Sequence, residues 1–144
     1  MSAHVLETAD DQLAFALAGN ATFTLVSLKT EVRYTYRVRQ CEDKPTLYFV
    51  AVMTGADNET SYQYLGTVIK TDVPQLSTYR YGVKSKIGEH APSAGAFYWW
   101  WKHKGHAQIQ VWHEGRCGRC NRKLTVPESI ANGIGPECMK YLGV

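Results

Sequence analysis

The sequence predicts an α+β fold: a mainly antiparallel β-sheet with one short N-terminal helix, one Trp-rich helix and a C-terminal treble-clef-like zinc site. Three observations carry this expectation. Between Ala21 and Lys70, four segments rich in β-branched and aromatic residues follow one another across short polar breaks. Residues 91–104 hold Phe97, Trp100 and Trp101 at i, i+3 and i+4. Near the end, Cys117, Cys120 and Cys138 stand in the order Cys-x2-Cys-x17-Cys. Short breaks favour antiparallel hairpins, because parallel neighbours need long crossovers. Two cysteines separated by two residues suit a single metal ion better than a hydrophobic core.

The elements follow in order. Residues 8–19 predict a helix, with Thr8 as its cap, Asp11 three residues on, and Gly19 as its stop. Leu13, Ala16 and Leu17 face the core. The strands are expected at Ala21–Lys29, Glu31–Gln40, Thr46–Thr54 and Ser61–Lys70, with turns at Lys29-Thr30, residues 41–45 and residues 55–60. A fifth strand is expected over Tyr79–Val83. The second strand alternates, with Tyr34, Tyr36 and Val38 on one face and Arg33, Thr35, Arg37 and Arg39 on the other. That arginine row is either a phosphate-tracking surface or the wet side of a half-covered sheet. In the second helix Pro92 takes the first position, Gly105 follows the end, and Phe97, Trp100 and Trp101 form the buried stripe. Tyr98 and Trp99 point sideways or outward. A last strand over Ala107–His113 puts Ile109, Val111 and His113 on one face. The break at Glu114-Gly115 divides a body, residues 1–112, from a zinc-binding tail, residues 113–144, packed on it.

Zinc takes four tetrahedral Cys and His ligands. Cys117, Cys120 and Cys138 supply three, with Gly118 inside the knuckle turn and Cys138 in the first turn of a last helix. His113 is the first choice for the fourth, since a strand-end histidine can fold back onto the knuckle. Its other role is that of a hydrogen-bonded strand-end residue. Cys41, His103, His106, a water or a partner's ligand are the remaining candidates. Arg116, Arg119, Arg122 and Lys123 surround the cysteines and would favour thiolates.

The string from Cys117 to Cys138, with Gly133-Ile-Gly-Pro136 before its last cysteine, resembles a small domain of unknown function found in phage, prophage and actinobacterial proteins. The likeness covers residues 113–142. The upstream body, including Arg33–Val38, Gly55–Asn58 and Tyr64-Leu-Gly66, is similar to the one accompanying the motif in such proteins. The resemblance implies zinc and a mobile-element origin, and carries no activity with it.

Charge is unevenly placed. Between Tyr79 and Lys123 nine basic residues meet only Glu89 and Glu114, a net of +7 in a chain of net +3. Such a stretch suits an anionic partner. The expected role is therefore a non-catalytic, zinc-stabilised binding protein contacting nucleic acid. Its contact residues are Arg33, Arg37, Arg39, Lys84, Lys86, Trp99, Lys102, Lys104, Arg116, Arg119, Arg122 and Lys123. The alternative partner is a host protein, such as a host-defence complex that a phage factor inhibits. A zinc enzyme is the third reading. No Walker loop, dinucleotide fingerprint, nucleophile elbow or deaminase motif is present, but a three-cysteine zinc with a water position would be open to chemistry if His113 is not a ligand. With no signal peptide and no stretch near the roughly 20 apolar residues of a membrane span, the expected location is cytoplasmic.

Overall fold

In the computed structural model, which describes residues 4–54, 61–125 and 127–139, one seven-stranded antiparallel sheet forms the frame on which the core is built. The strands are β1 (Val5–Leu6), β2 (Asn20–Ser27), β3 (Arg33–Gln40), β4 (Leu47–Met53), β5 (Tyr62–Ile69), β6 (Thr78–Tyr81) and β7 (Ile109–His113). Their spatial order is β1-β7-β2-β3-β4-β5-β6. Four short helices accompany them: α1 (Ala9–Ala16), α2 (Pro92–Lys102), α3 (Pro127–Asn132) and α4 (Pro136–Met139). The expected turn at residues 55–60 and the Gly55–Asn58 part of the resemblance lie outside the described residues.

The meander from β2 to β6 follows the predicted segments to within two or three residues, because hairpins join consecutive strands. The closing step is not sequential. β7 inserts beside β2, with Phe23 opposite His113 and Leu25 opposite Val111. It also pairs on its other side with β1, a two-residue strand too short to show a period. His113 is thus the last residue of a strand within the sheet.

Register sorts the side chains into two faces. On one face Phe23, Tyr36, Val38, Val50, Val52, Leu65 and Val68 are all but sealed from solvent. α2 lies over it: Phe97 contacts Phe23, Tyr36 and Tyr79, and Trp100 contacts Phe23. The Tyr36 hydroxyl donates to the Ser93 carbonyl at 2.6 Å, tying β3 to the start of α2. α1 covers the neighbouring strands, capped as predicted by Thr8, whose Oγ1 accepts from the Asp11 N–H at 3.1 Å. The Tyr48 hydroxyl donates to the Leu17 carbonyl at 2.9 Å and secures its C-terminal end.

Among the described residues the opposite face is uncovered. It carries Trp112 and Gln110 of β7, Thr22 and Thr24 of β2, Arg33, Thr35, Arg37 and Arg39 of β3, Phe49 and Ala51 of β4, Tyr62, Tyr64 and Thr67 of β5, and Arg80 of β6. None of these residues is buried. An irregularity between Val50 and Ala51 leaves Leu65 as the extra residue of β5, so that Tyr64 and Thr67 share this face although three positions apart.

Candidate metal centre

The tail opens with a tight knuckle. Arg116 and Lys123 form an isolated bridge, the Cys117 N–H donates to the Arg122 carbonyl at 2.8 Å, and the Asn121 N–H donates back to Cys117 at 2.9 Å. Asn121 takes the left-handed conformation of this turn, at φ 66°, which asparagine tolerates better than most residues. Gly118 was the expected turn glycine, but its need is different: a Cβ there would sit 2.9 Å from the Phe15 ring. Gly133, at φ 77°, meets both demands at once, since its Cβ would lie 2.4 Å from the same ring. The Gly118 carbonyl accepts from Asn20 of β2 at 2.7 Å, and its N–H donates to Gly133 at 2.9 Å. The knuckle is therefore pinned to both the sheet and the end of α3.

This folding brings the Sγ atoms of Cys117, Cys120 and Cys138 within 4.8 Å of one another. Three sulfurs on one zinc ion at about 2.3 Å would stand roughly 3.8 Å apart, so the cluster matches a metal's demands with little adjustment. Cys117 and Cys138 are buried and Cys120 is exposed. The N–H groups of Gly135 and Arg119 donate to the Cys117 sulfur at 3.3 and 3.4 Å. Burial pushes the Cys117 thiol up, but these N–H groups, that of Cys120 and the Cys138 thiol outweigh it and hold it below its ordinary range. Cys138 goes the other way. Its burial, with Cys120 and Cys117 adding, exceeds the help of Arg119, whose Nη1 lies 3.7 Å from its sulfur. Basic side chains were expected to favour the thiolates, yet it is backbone N–H groups that do so at Cys117. Arg116 donates to the Asn121 carbonyl at 3.2 Å, and Arg122 and Lys123 lie exposed.

His113 is not brought to the sulfurs. Strand alternation sends its ring into the covered side, where Nε2 donates to the Ile130 carbonyl at 2.5 Å and Nδ1 accepts from the Gly115 N–H at 2.9 Å. It stacks on His4 and lies tilted against Phe15. Both nitrogens are engaged, so the expected fourth ligand serves instead as a strut between β7 and α3. Cys41 lies outside the cluster, in a cleft that it shares with Arg39 and Arg119. His103 and His106 flank Trp99 on α2.

The His113 strut has a pH signature. Burial lowers its pKa from the ordinary 6.5, the Ile130 carbonyl opposes that, and His4 adds to the lowering. The folded state therefore binds this proton less readily than the unfolded chain. The contribution is complete above 6.5 and is lost as pH falls from there through the folded value. Denaturant unfolding between pH 7.5 and 5.5 is expected to show stability falling continuously toward acid. His113→Asn, less stable throughout, is expected to lose this part of the slope, and an unchanged slope would refute the assignment.

The predicted partner-binding residues fall into separate places. Arg33, Arg37 and Arg39 share the uncovered face, with the Arg37 guanidinium 3.9 Å above the Tyr62 ring. Lys84 and Lys86 line a hollow with Tyr64 and Gln63 at the β5 side of the sheet. Trp99 and Lys102 lie on α2, which is packed on the opposite face, and Lys104 follows just past its end. Lys104 folds over Trp101, donating to its carbonyl at 2.5 Å, and burial brings its pKa down to about 8. Trp99 is half covered by the stacked His103 ring, and Lys102 lies over Tyr98. The residues that sequence reasoning passed over are Phe49, Tyr62, Tyr64, Arg80 and Trp112. Alternation places each of them, but only register across the strands shows that they share the arginine face.

Fold and site together define an α+β protein, mainly antiparallel, with a C-terminal cluster of three cysteines able to hold a metal ion. Residues 112–143 match the model of a family described as a family of unknown function (DUF6011), in agreement with the unknown-function domain that residues 113–142 resemble. No curated protein and no solved structure matches the chain. No described helix is long and apolar enough to cross a membrane.

Proposed function

We propose that this protein is a non-catalytic binding module that holds single-stranded nucleic acid across the uncovered face of its sheet, with a zinc ion stapling the tail in a treble-clef-like arrangement. One observation supports this above the others. The strand residues of that face include Arg33, Arg37, Arg39 and Arg80, no Asp or Glu, and the rings of Trp112, Tyr62, Tyr64 and Phe49. Glu114, just past β7, is the acid within electrostatic reach of Tyr62. Arginines neutralise phosphates while exposed rings stack on bases, the combination that single strands need. The metal's part is to tie the knuckle to α4, which holds Arg119 beside Arg39 along one cleft. The set on and just after α2, Trp99, Lys102 and Lys104, is left out of this surface. A phage or prophage origin, and with it a host-cell cytoplasmic location, rests on the resemblance of residues 113–142.

The test is fluorescence anisotropy with a labelled single-stranded DNA of mixed sequence at low salt. Binding is expected to weaken steeply with salt. Replacing Arg33, Arg39 and Arg80 together by Ala is expected to reduce the slope of log K against log salt by about 2, at about 0.7 per phosphate contact. Trp112→Ala should cost about 1–3 kcal/mol of affinity, and Lys102→Ala on α2 should change nothing. Absence of binding at low salt, or an equal loss from the α2 variant, would remove this reading. It would favour a host protein as the partner, for which Phe49, Tyr64 and Ile69 offer exposed apolar area on the same face.

A further inference from the structure

We infer that the metal centre is completed from outside the chain: its fourth position takes a water at rest, which a small thiolate can replace. This rests on the cysteine cluster holding a metal, as proposed above, and goes on to say what else binds there. The first observation is that three donors converge and, among the described residues, no fourth joins them. Among the described residues the grouped ligand atoms are those of Cys117, Cys120 and Cys138 alone. His113 spends both ring nitrogens on backbone groups of Ile130 and Gly115. The second observation is access. All three cysteines line one cleft of about 330 Å³, which reaches Arg119, Arg122 and Lys123. Cys117 and Cys138 form its floor, while Cys120 is exposed at its mouth.

A structural zinc site is closed, whereas a site with three protein ligands keeps a position for an exchangeable one. The cleft has room for more than a single water, whose share of liquid volume is about 30 Å³. Three thiolates leave a divalent ion with one net negative charge, and the arginines and lysine of the cleft offset it when an anionic ligand arrives. Glu137 is the acid on the cleft lining; its charge adds to that of the thiolates, and it does not belong to the grouped donors. Sulfur suits an ion already held by sulfur. The exchange is balanced simply: the thiol releases its proton to solvent, its sulfur takes the position and the water leaves.

The experiment uses the full chain loaded with cobalt(II), whose visible and near-ultraviolet spectrum reports coordination. One cobalt per chain is expected. Added 2-mercaptoethanol should shift the ligand-field bands saturably and raise the sulfur-to-cobalt charge-transfer intensity by about a third, as three bonds become four. The resting spectra of His113→Ala, Cys41→Ser and Glu137→Gln should match wild type. A spectrum indifferent to millimolar thiol, or altered at rest by any of the three substitutions, would show a fourth ligand within the chain and overturn the inference. One cobalt per two chains would overturn it too, by showing a ligand shared between copies. Failure to bind cobalt at all would instead strike the metal centre itself.

Discussion

Chelation of the metal, or Cys117→Ser, is expected to lower the thermal midpoint by roughly 10 °C or more, corresponding to a loss of about 3–5 kcal/mol in a domain of this size. The loss should be concentrated in one part of the molecule. The knuckle closes through Leu124 N–H to Gly115 and Gly118 N–H to Gly133, and α3 and α4 are too short to hold themselves. Residues 115–139 are expected to lose amide protection from hydrogen exchange, while β3 and β4, whose partners lie in the body, keep theirs. The damage should still reach the body at Phe15, which packs on Gly118, Gly133 and His113. Uniform loss across the chain, or full protection of the tail without metal, would show that the metal is not the staple proposed here.

Trp100→Ala is expected to destabilise the body by about 3–5 kcal/mol, as large aromatic truncations in cores do, and to do so with the metal still bound. The ring is almost fully buried between Phe23, Phe97 and Trp101. Its Nε1 donates to Gln12 Oε1 at 2.9 Å, an acceptor shared with the Gly105 N–H, while Gln12 Nε2 donates to the Leu6 carbonyl. Gln12 thus joins β1, α1 and the end of α2 through one buried amide. Trp100→Phe keeps most of the apolar area and should cost about 1–2 kcal/mol. Gln12→Leu leaves two donors and an acceptor without that amide, and should cost more than Trp100→Phe, at about 1–3 kcal/mol for each group left unsatisfied. Urea unfolding of the three variants measures the order, and a Gln12→Leu chain as stable as wild type would break the account.

These two results test different kinds of reading. The cysteine cluster was legible because cysteines at metal spacing have few other uses, and Pro127, Gly133 and Pro136 punctuate the chain around them. Gln12 was not legible. A glutamine in an amphipathic helix ordinarily faces water, and nothing local marks it as the acceptor for an indole 88 residues away. His113 shows the same limit from the other side. Its spacing suited a metal ligand, and its strand register with Phe23 turned it toward α3 instead.

By itself the sequence determined the α+β class, the strand segments from Ala21 to Lys70, the capped first helix, the buried stripe of α2 and the three cysteines of the cluster. Each depends on periodicity, punctuation or spacing within a few residues, so each is written locally. Tertiary structure alone decided three things: that β7 enters beside β2, that Trp112, Tyr62 and Arg80 stand beside the arginine row of β3, and that His113 is not among the grouped donors. All three follow from non-local strand pairing, which no short window of sequence encodes. Pairing sets which face the helices cover, and the uncovered face is where the chain presents its arginines and rings.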